Sequence, residues 1–400
     1  MPLPRVECGR VCCTTFSALC RELRLPITEE NTLHMRGSAS RKAGLRTWGL
    51  IPGVVLMLIA VCAGAVANAG EPQVQQLRTL AAELAESAQN RGVMTAPGTD
   101  GWLFFDQELA HIAAGTFWGA EAAGVSRARN LEFADPLPAI LDFHAQLEAA
   151  GVDLLLVPVP PKAIIYPDRL QLESGFGDPP QRLDAAHREF YDRLQAEGLS
   201  VLDLTDVFLS QRESDRGPMY CRQDTHWCGP GIVVAADAIS ALVKDMPWYD
   251  PATAESYASE WRTRQISGDL WTALDDAGVE RETVSLRHVE QPGAGRAEPV
   301  QPEPESPVIL LGDSHNLVFQ AGGDMHAQGA GLADQLALEL GFPVDLIAVR
   351  GSGATPARIN LLRRAQRNPD YWDGKKLVVW VFTAREFTHS DGWRVVPISP

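Results

Sequence analysis

The chain has 400 residues, room for one large domain or two smaller ones, and its hydrophobic (45%) and charged (22%) fractions are those of an ordinary globular protein. Its 35 basic and 51 acidic residues give a formal net charge of −16. Without a basic patch, that balance speaks against nucleic acid as a partner.

The first informative segment is GLIPGVVLMLIAVCAGAVANAG, residues 49–70. Arg36, Arg41, Lys42 and Arg46 precede it, and it ends in the small-residue pattern Ala67-Asn68-Ala69. A basic stretch, an apolar stretch and a cleavage-like end mark residues 35–69 as a signal peptide, or as an N-terminal membrane anchor, because the run is nearly long enough to span. Residues 1–34 look unlike any targeting signal and are read as a mis-called extension ahead of a start at Met35. Residues 70 onward are then exported, soluble in the periplasm or tethered to the inner membrane. Setting aside the 8 basic and 4 acidic residues before residue 70 takes the net charge to −20. Cys8, Cys12, Cys13, Cys20 and Cys62 also fall in that first part, which leaves Cys221 and Cys228 in an oxidising compartment. A disulfide between them is expected, two separate thiols being the alternative.

Residues 70–95 are polar and Ala/Leu-rich, with Leu77, Leu80 and Leu84 in helical spacing, and predict an exposed helical lead-in to a domain over 96–400. APGTDGWLFF predicts a turn and a short aromatic strand. VDLLLVPVP (152–160) is a continuous apolar run, short and β-branched, typical of a buried parallel strand. Helix and strand then alternate: a helix to Gly198, a strand LSVLDLTDVF (199–208), a helix after Pro230, a strand VILLG before Asp313, a helix 331–341, a strand 342–351, a helix 355–366 and a strand 375–382. That alternation predicts an α/β fold with a doubly wound, mostly parallel sheet. Residues 290–307 are a Pro/Glu-rich connection.

In such sheets the active site lies beyond the carboxyl ends of the strands. VILLGDSH puts Ser314 there, after a glycine that lets the chain bend, so that Ser314 is a candidate nucleophile whose own N–H can support an oxyanion. The alternative is a plain strand-end turn in which Asp313 and Ser314 cap a helix. A serine hydroxyl needs a base, and the base an orienter. Residues 220–231, YCRQDTHWCGPG, offer both: His226 as base and Asp224, two residues away, as orienter. A Cys221–Cys228 clip would hold that pair in register.

DTHW together with GDSH resembles the SGNH-hydrolase-like domain of the alginate O-acetylation proteins, the AlgJ and AlgX type, a DHHW-like group. GTDGWLFFDQE (98–108), VPVPPKAIIYPDRL (157–170), ISGDL (266–270) and VVWVFTAREF (378–387) agree with it, in order, over roughly residues 95–390. The resemblance is closer to the J type, since little chain follows the last strand. It implies an SGNH-hydrolase-like fold and a serine-dependent O-acetyltransferase. Ser314 would be the nucleophile, His226 the base and Asp224 the orienter. The acetyl group would pass through an acetyl-serine to a hydroxyl of an exported polysaccharide. It also implies a membrane-bound O-acyltransferase that supplies the acetyl group, within an exopolysaccharide complex, and no cofactor.

Further candidates are Arg350 and Gly351 at the oxyanion, the alternative being a plain strand–helix turn, and Tyr166, Trp102 and Trp227 as sugar-stacking aromatics, though aromatics at such places are as often core. Either Arg222, Arg350 and Arg385 form a basic groove that overcomes the acidic field for an acidic polymer, or the acceptor is a neutral exopolysaccharide. Competing expectations are an acetylesterase with the same triad and a non-catalytic partner in polysaccharide export. A metal site from Asp313, His315, Asp324 and His326 is a further reading, disfavoured because Asp313 and His315 straddle Ser314.

Overall fold

Seven residues, Asp153–Val159, illustrate how the sheet is built: all but the first are buried, as a strand covered on both faces requires. The computed structural model describes residues 71–171, 180–274, 276, 278–291 and 298–399. The expected extension and the signal or anchor segment lie outside the described residues. Among the described residues no helix is long and apolar enough to cross a membrane.

The principal elements are α1 (Glu71–Asn90), β1 (Thr95–Pro97), β2 (Leu103–Phe105), α2 (Asp106–Ala114), α3 (Pro136–Ala149), β3 (Asp153–Val159), α4 (Ala185–Ala196) and β4 (Ser200–Val201). They continue with α5 (Gly229–Lys244), β5 (Ala258–Gln265), β6 (Thr283–Glu290), β7 (Val308–Gly312), α6 (Leu332–Leu340), β8 (Asp345–Ala348), α7 (Thr355–Arg367) and β9 (Leu377–Thr383). The central sheet has the order β8-β7-β9-β3-β4, and every pairing in it is parallel. From β3 the chain steps outward to β4, from β7 outward to β8, and β9 fills the middle.

Alternate residues of each strand face opposite layers. Leu155, Val157, Leu310, Val379 and Val381 pack with α5 (Ile232, Ile239) and α6 (Leu336, Leu340). Leu154, Leu156, Ile309, Leu311, Trp380 and Phe382 pack with α3 (Ile140, Phe143), α4 (Phe190, Leu194) and α7 (Leu361). This is the α/β, doubly wound, mostly parallel arrangement that the alternation predicts.

The structure corrects three expectations. α1 is not an exposed lead-in: Leu77, Ala81, Ala85 and Ala88 form a buried stripe against α2, and Arg78 donates to the Ala113 carbonyl at 3.1 Å. The stripe is mostly alanine, which hydropathy barely registers. The strand expected over 199–208 shrinks to Ser200–Val201, because the Asp203 carboxylate accepts from the Thr205 N–H (2.9 Å) and turns the chain into a short helix, Thr205–Gln211. Finally, β5 and β6 form an antiparallel pair absent from the expected elements, although Val284 and Leu286 alternate with polar residues at the start of β6. β5 is exposed along nearly its whole length, so it lacks the period-two alternation that marks a half-buried strand.

Candidate active site

β7 ends at Gly312, and the turn that follows carries Ser314. A Cβ on Gly312 would lie 1.6 Å from the Val381 carbonyl oxygen, so only glycine lets β7 run this close to β9 before the turn. Asp313 then locks the turn. Its Oδ1 accepts from the His315 N–H (2.9 Å) and from His315 Nδ1 (3.2 Å), and its Oδ2 accepts from the Thr383 N–H at the end of β9 (2.8 Å). Burial alone would raise the Asp313 pKa; the His315 imidazole and these hydrogen bonds outweigh it and hold the carboxyl at about 2. The helix-capping reading of Asp313 is therefore right in its geometry, and it coexists with a partly exposed Ser314.

The other half of the site is the loop between Tyr220 and Cys228. The disulfide Cys221–Cys228 closes it, with Cα atoms 4.8 Å apart, and Tyr220 and Trp227 form an isolated antiparallel bridge across it. The loop has almost no ladder of its own, and remote groups hold it. Lys162 Nζ donates to the carbonyls of Leu103 (2.7 Å), Arg222 (3.0 Å) and Asp224 (3.0 Å). Its own N–H donates to Glu108 Oε1 at 2.8 Å. Burial pushes the Lys162 pKa down to about 8, against the pull of nearby carboxylates. Glu282 accepts from the N–H groups of Arg222 and Gln223 at 2.9 and 2.8 Å. A Cβ on Gly268 would lie 2.0 Å from the Gln223 carbonyl oxygen, which brings Asp269 against the loop. The segments GTDGWLFFDQE, VPVPPK and ISGDL thus converge on the backbone around Asp224.

Across 88 residues of sequence, His226 Nε2 stands 2.8 Å from Ser314 Oγ. On the other side of the ring, Nδ1 lies 2.6 Å from Asp224 Oδ1. Asp224 Oδ1 also accepts from the His226 N–H (3.0 Å), and Oδ2 accepts from the Asp269 N–H (2.9 Å) and lies 2.9 Å from His326 Nε2. Burial would raise the Asp224 pKa, but the His226 charge and the hydrogen bonds from His226 and His326 keep it well below the usual carboxylate range. Burial likewise works to lower the His226 pKa, and the Asp224 carboxylate overrides it, so the pKa is raised above 6.5. An ionised Asp224 fixes the proton on Nδ1 and leaves Nε2 free to accept from the serine hydroxyl.

The remaining candidates divide. Trp227 is fully buried, and its Nε1–H donates to the His315 carbonyl (3.0 Å), tying the loop to the serine turn; it is not a sugar-stacking surface. Tyr166 is fully buried as well, its hydroxyl donating to the Arg212 carbonyl (2.8 Å) and accepting from the Met219 N–H (2.9 Å). Trp102 packs on Tyr166 with ring centroids 4.2 Å apart and is core with it. For all three the core alternative holds, because packing has claimed these rings. Arg350 is exposed and forked onto Asp324, two contacts of 2.7 Å, and Gly351 is an exposed turn glycine. Arg385 follows β9 and stacks on Phe105 at 5.0 Å. Arg222, exposed, serves the loop through its backbone. Arg222, Arg350 and Arg385 form no common groove along the cavity beside the relay, since none of them lines it. The four residues of the metal reading do not converge: Asp313 pairs with His315, Asp324 with Arg350, and His326 reaches Asp224. Lys162, Asp269 and His326 have site contacts that sequence reasoning did not assign. The motifs that contain Lys162 and Asp269 flagged their segments, but no spacing rule connects them to residue 224.

A cavity of about 650 Å³ lies against the Asp224–His226 end of the relay. Arg264, Ile266, Asp269, Met325 and His326 are among its lining residues.

A serine, a histidine and an aspartate in relay at the carboxyl end of a parallel sheet have the arrangement of serine-dependent acyl chemistry, which recurs on unrelated α/β folds. Residues 95–384 match the family model for the SGNH hydrolase-like domain of the acetyltransferase AlgX. The chain belongs to that family and is an O-acetyltransferase. The probable alginate O-acetylase AlgJ of Pseudomonas aeruginosa is 26% identical over 294 residues, which span 72% of this chain and 69% of that protein. The AlgJ of Pseudomonas putida is 29% identical over 177 residues, 44% of this chain and 41% of that protein. Among solved structures, the O-acetyltransferase domain of Pseudomonas putida AlgJ superposes with a TM-score of 0.54 at 22% identity, covering 74% of this chain and 92% of that one. Pseudomonas aeruginosa AlgX gives 0.50 at 16% identity, over 72% and 62%. The expected SGNH-hydrolase-like fold and its nearness to the J type are borne out.

Proposed function

We propose that Ser314, His226 and Asp224 carry the acetyl transfer, and that the acceptor is an exported polyuronate of the alginate type. The single observation behind the first part is the 2.8 Å contact between Ser314 Oγ and His226 Nε2. Ser314 Oγ attacks the acetyl carbonyl carbon while His226 Nε2 takes the hydroxyl proton. The tetrahedral oxyanion, supported by the Ser314 N–H, collapses, and His226 returns the proton to the leaving group. That leaves an acetyl-serine. A polysaccharide hydroxyl attacks it, His226 accepts the new proton, and collapse releases the acetylated sugar and gives the proton back to Ser314. Asp224 stays ionised and keeps His226 in the tautomer and orientation that both half-reactions need.

The acceptor assignment rests on the relatives, which are named as alginate O-acetylases. Arg264, exposed on the cavity rim, supplies a cation for a uronate carboxylate. The Cys221–Cys228 disulfide supports a periplasmic setting. There, a membrane-bound O-acyltransferase partner in an exopolysaccharide complex would deliver the acetyl group.

The test is mass spectrometry of the protein after exposure to an activated acetyl ester. One acetyl adduct on Ser314, absent in His226→Ala and discharged faster when oligouronate is added, is the expected result. Discharge at the same rate with and without oligouronate would make the protein an acetylesterase instead.

A further inference from the structure

We propose that His326 is a positioning residue of the acyl-transfer site: its Nε2–H holds Asp224 Oδ2, so that Oδ1 alone is presented to His226. This rests on the triad reading above.

A carboxylate can turn about its Cβ–Cγ bond and offer either oxygen to a neighbour. Donors on its second oxygen remove that freedom. Asp224 Oδ2 has the Asp269 N–H at 2.9 Å and His326 Nε2 at 2.9 Å. An ionised carboxylate only accepts, so His326 must carry its proton on Nε2. Such a bond to a charged acceptor is stronger than a neutral one. It also draws charge from Asp224, which tempers how far that carboxylate raises the basicity of His226. The other titratable and charged groups around the relay are Asp269, Asp313 and His315, with Lys162, Glu282 and Arg385 behind them.

The loop that delivers His326 is built against its own backbone preference. His326 has φ +70° and Phe319 φ +58°, both in the left-handed region that favours glycine. The Gly322 N–H donates to the Ala327 carbonyl (2.8 Å) and the Phe319 N–H to the Met325 carbonyl (2.8 Å), which closes the loop on itself. The His326 ring packs 5.7 Å from the Phe319 ring, and its side chain is only 11% exposed. A strained non-glycine residue persists where its surroundings over-determine it, and here the bond to Asp224 is what the strain secures.

The test compares His326→Ala and His326→Gln with wild type in the full chain, with an aryl acetate as donor. Glutamine keeps an N–H near the position of Nε2. His326→Ala should lower kcat by about 10- to 100-fold, the loss of one charge-assisted hydrogen bond. It should also move the acid limb of kcat/KM to higher pH, because a less solvated Asp224 pulls His226 upward. His326→Gln should restore the acid limb and most of the rate. A merely structural role would lower the melting temperature and active fraction and leave the acid limb in place, which would overturn the proposal. So would a glutamine variant no better than alanine. Ser314→Ala runs alongside: if it retains activity, the triad reading has failed and this inference with it. If Ser314→Ala is inactive and His326→Ala matches wild type in rate and acid limb, only the role of His326 is lost.

Discussion

The turn that carries Ser314 and the loop that carries His226 meet at one hydrogen bond, yet they are held in opposite ways. The turn is specified locally. Gly312 sets its approach, Asp313 ties it to β9, and Asn316 Nδ2 adds a bond to the Val381 carbonyl at 2.9 Å. The loop is specified from a distance, by Lys162, Glu282 and Gly268, with its own disulfide as the one local tie. A short turn at a strand end inherits the rigidity of the sheet, whereas a loop must borrow rigidity from whatever packs against it. Single changes should therefore break the turn, while the loop should fail by degrees.

The largest effects are expected where the two meet. Ser314→Ala should remove acetyl transfer, and Asp224→Asn should lower kcat by about 10⁴-fold through the wrong tautomer of His226. His226 must be neutral to act as a base. Its raised pKa therefore puts the acid limb of wild-type kcat/KM above pH 6.5, and Asp224→Asn should move that limb to lower pH because the carboxylate that raises it is gone. A pH–rate profile with an activated acetyl ester measures both.

Gly312→Ala tests the local half. Its Cβ would meet the Val381 oxygen, so β7 and β9 must separate, at a cost of about 3 kcal/mol in denaturant unfolding and about 10²-fold in rate as Ser314 shifts. Lys162→Met tests the remote half. It strips the donor from the Leu103, Arg222 and Asp224 carbonyls and should cost about 3 kcal/mol. Cys221→Ser with Cys228→Ser should cost about 2–3 kcal/mol for so short a closed loop. The rate should fall by no more than about tenfold, since Lys162 and Glu282 still hold the loop. A rate loss as large as that of Gly312→Ala would erase the contrast between the two segments.

The smallest effect concerns Glu108, which accepts from the Lys162 N–H. Burial raises the Glu108 pKa from 4.5 to about 7 despite Arg385 and Lys162. A raised carboxyl pKa favours folding below 4.5, and that contribution is lost as pH climbs to about 7. Glu108→Gln keeps an acceptor for the Lys162 N–H and should flatten the fall of melting temperature across that window.

The sequence by itself determined the middle of the sheet and the candidate reactive groups. Continuous apolar runs such as 154–159, 308–312 and 377–382 have no stable place except between two layers, and the Gly-Asp-Ser turn leaving the second of these places a hydroxyl at the carboxyl end. Asp224 and His226 were legible because acid and base sit two residues apart inside a cysteine clip. Only the tertiary structure decided what surrounds them. It sent Tyr166 and Trp227 into the core, made an alanine stripe bury α1, and brought Asp269, Lys162 and His326 to Asp224 from 45, 62 and 102 residues away. Periodicity reports which face of an element is apolar, not which distant polar group will reach a given carboxylate. Those contacts depend on how the layers close, and no local pattern encodes that closure.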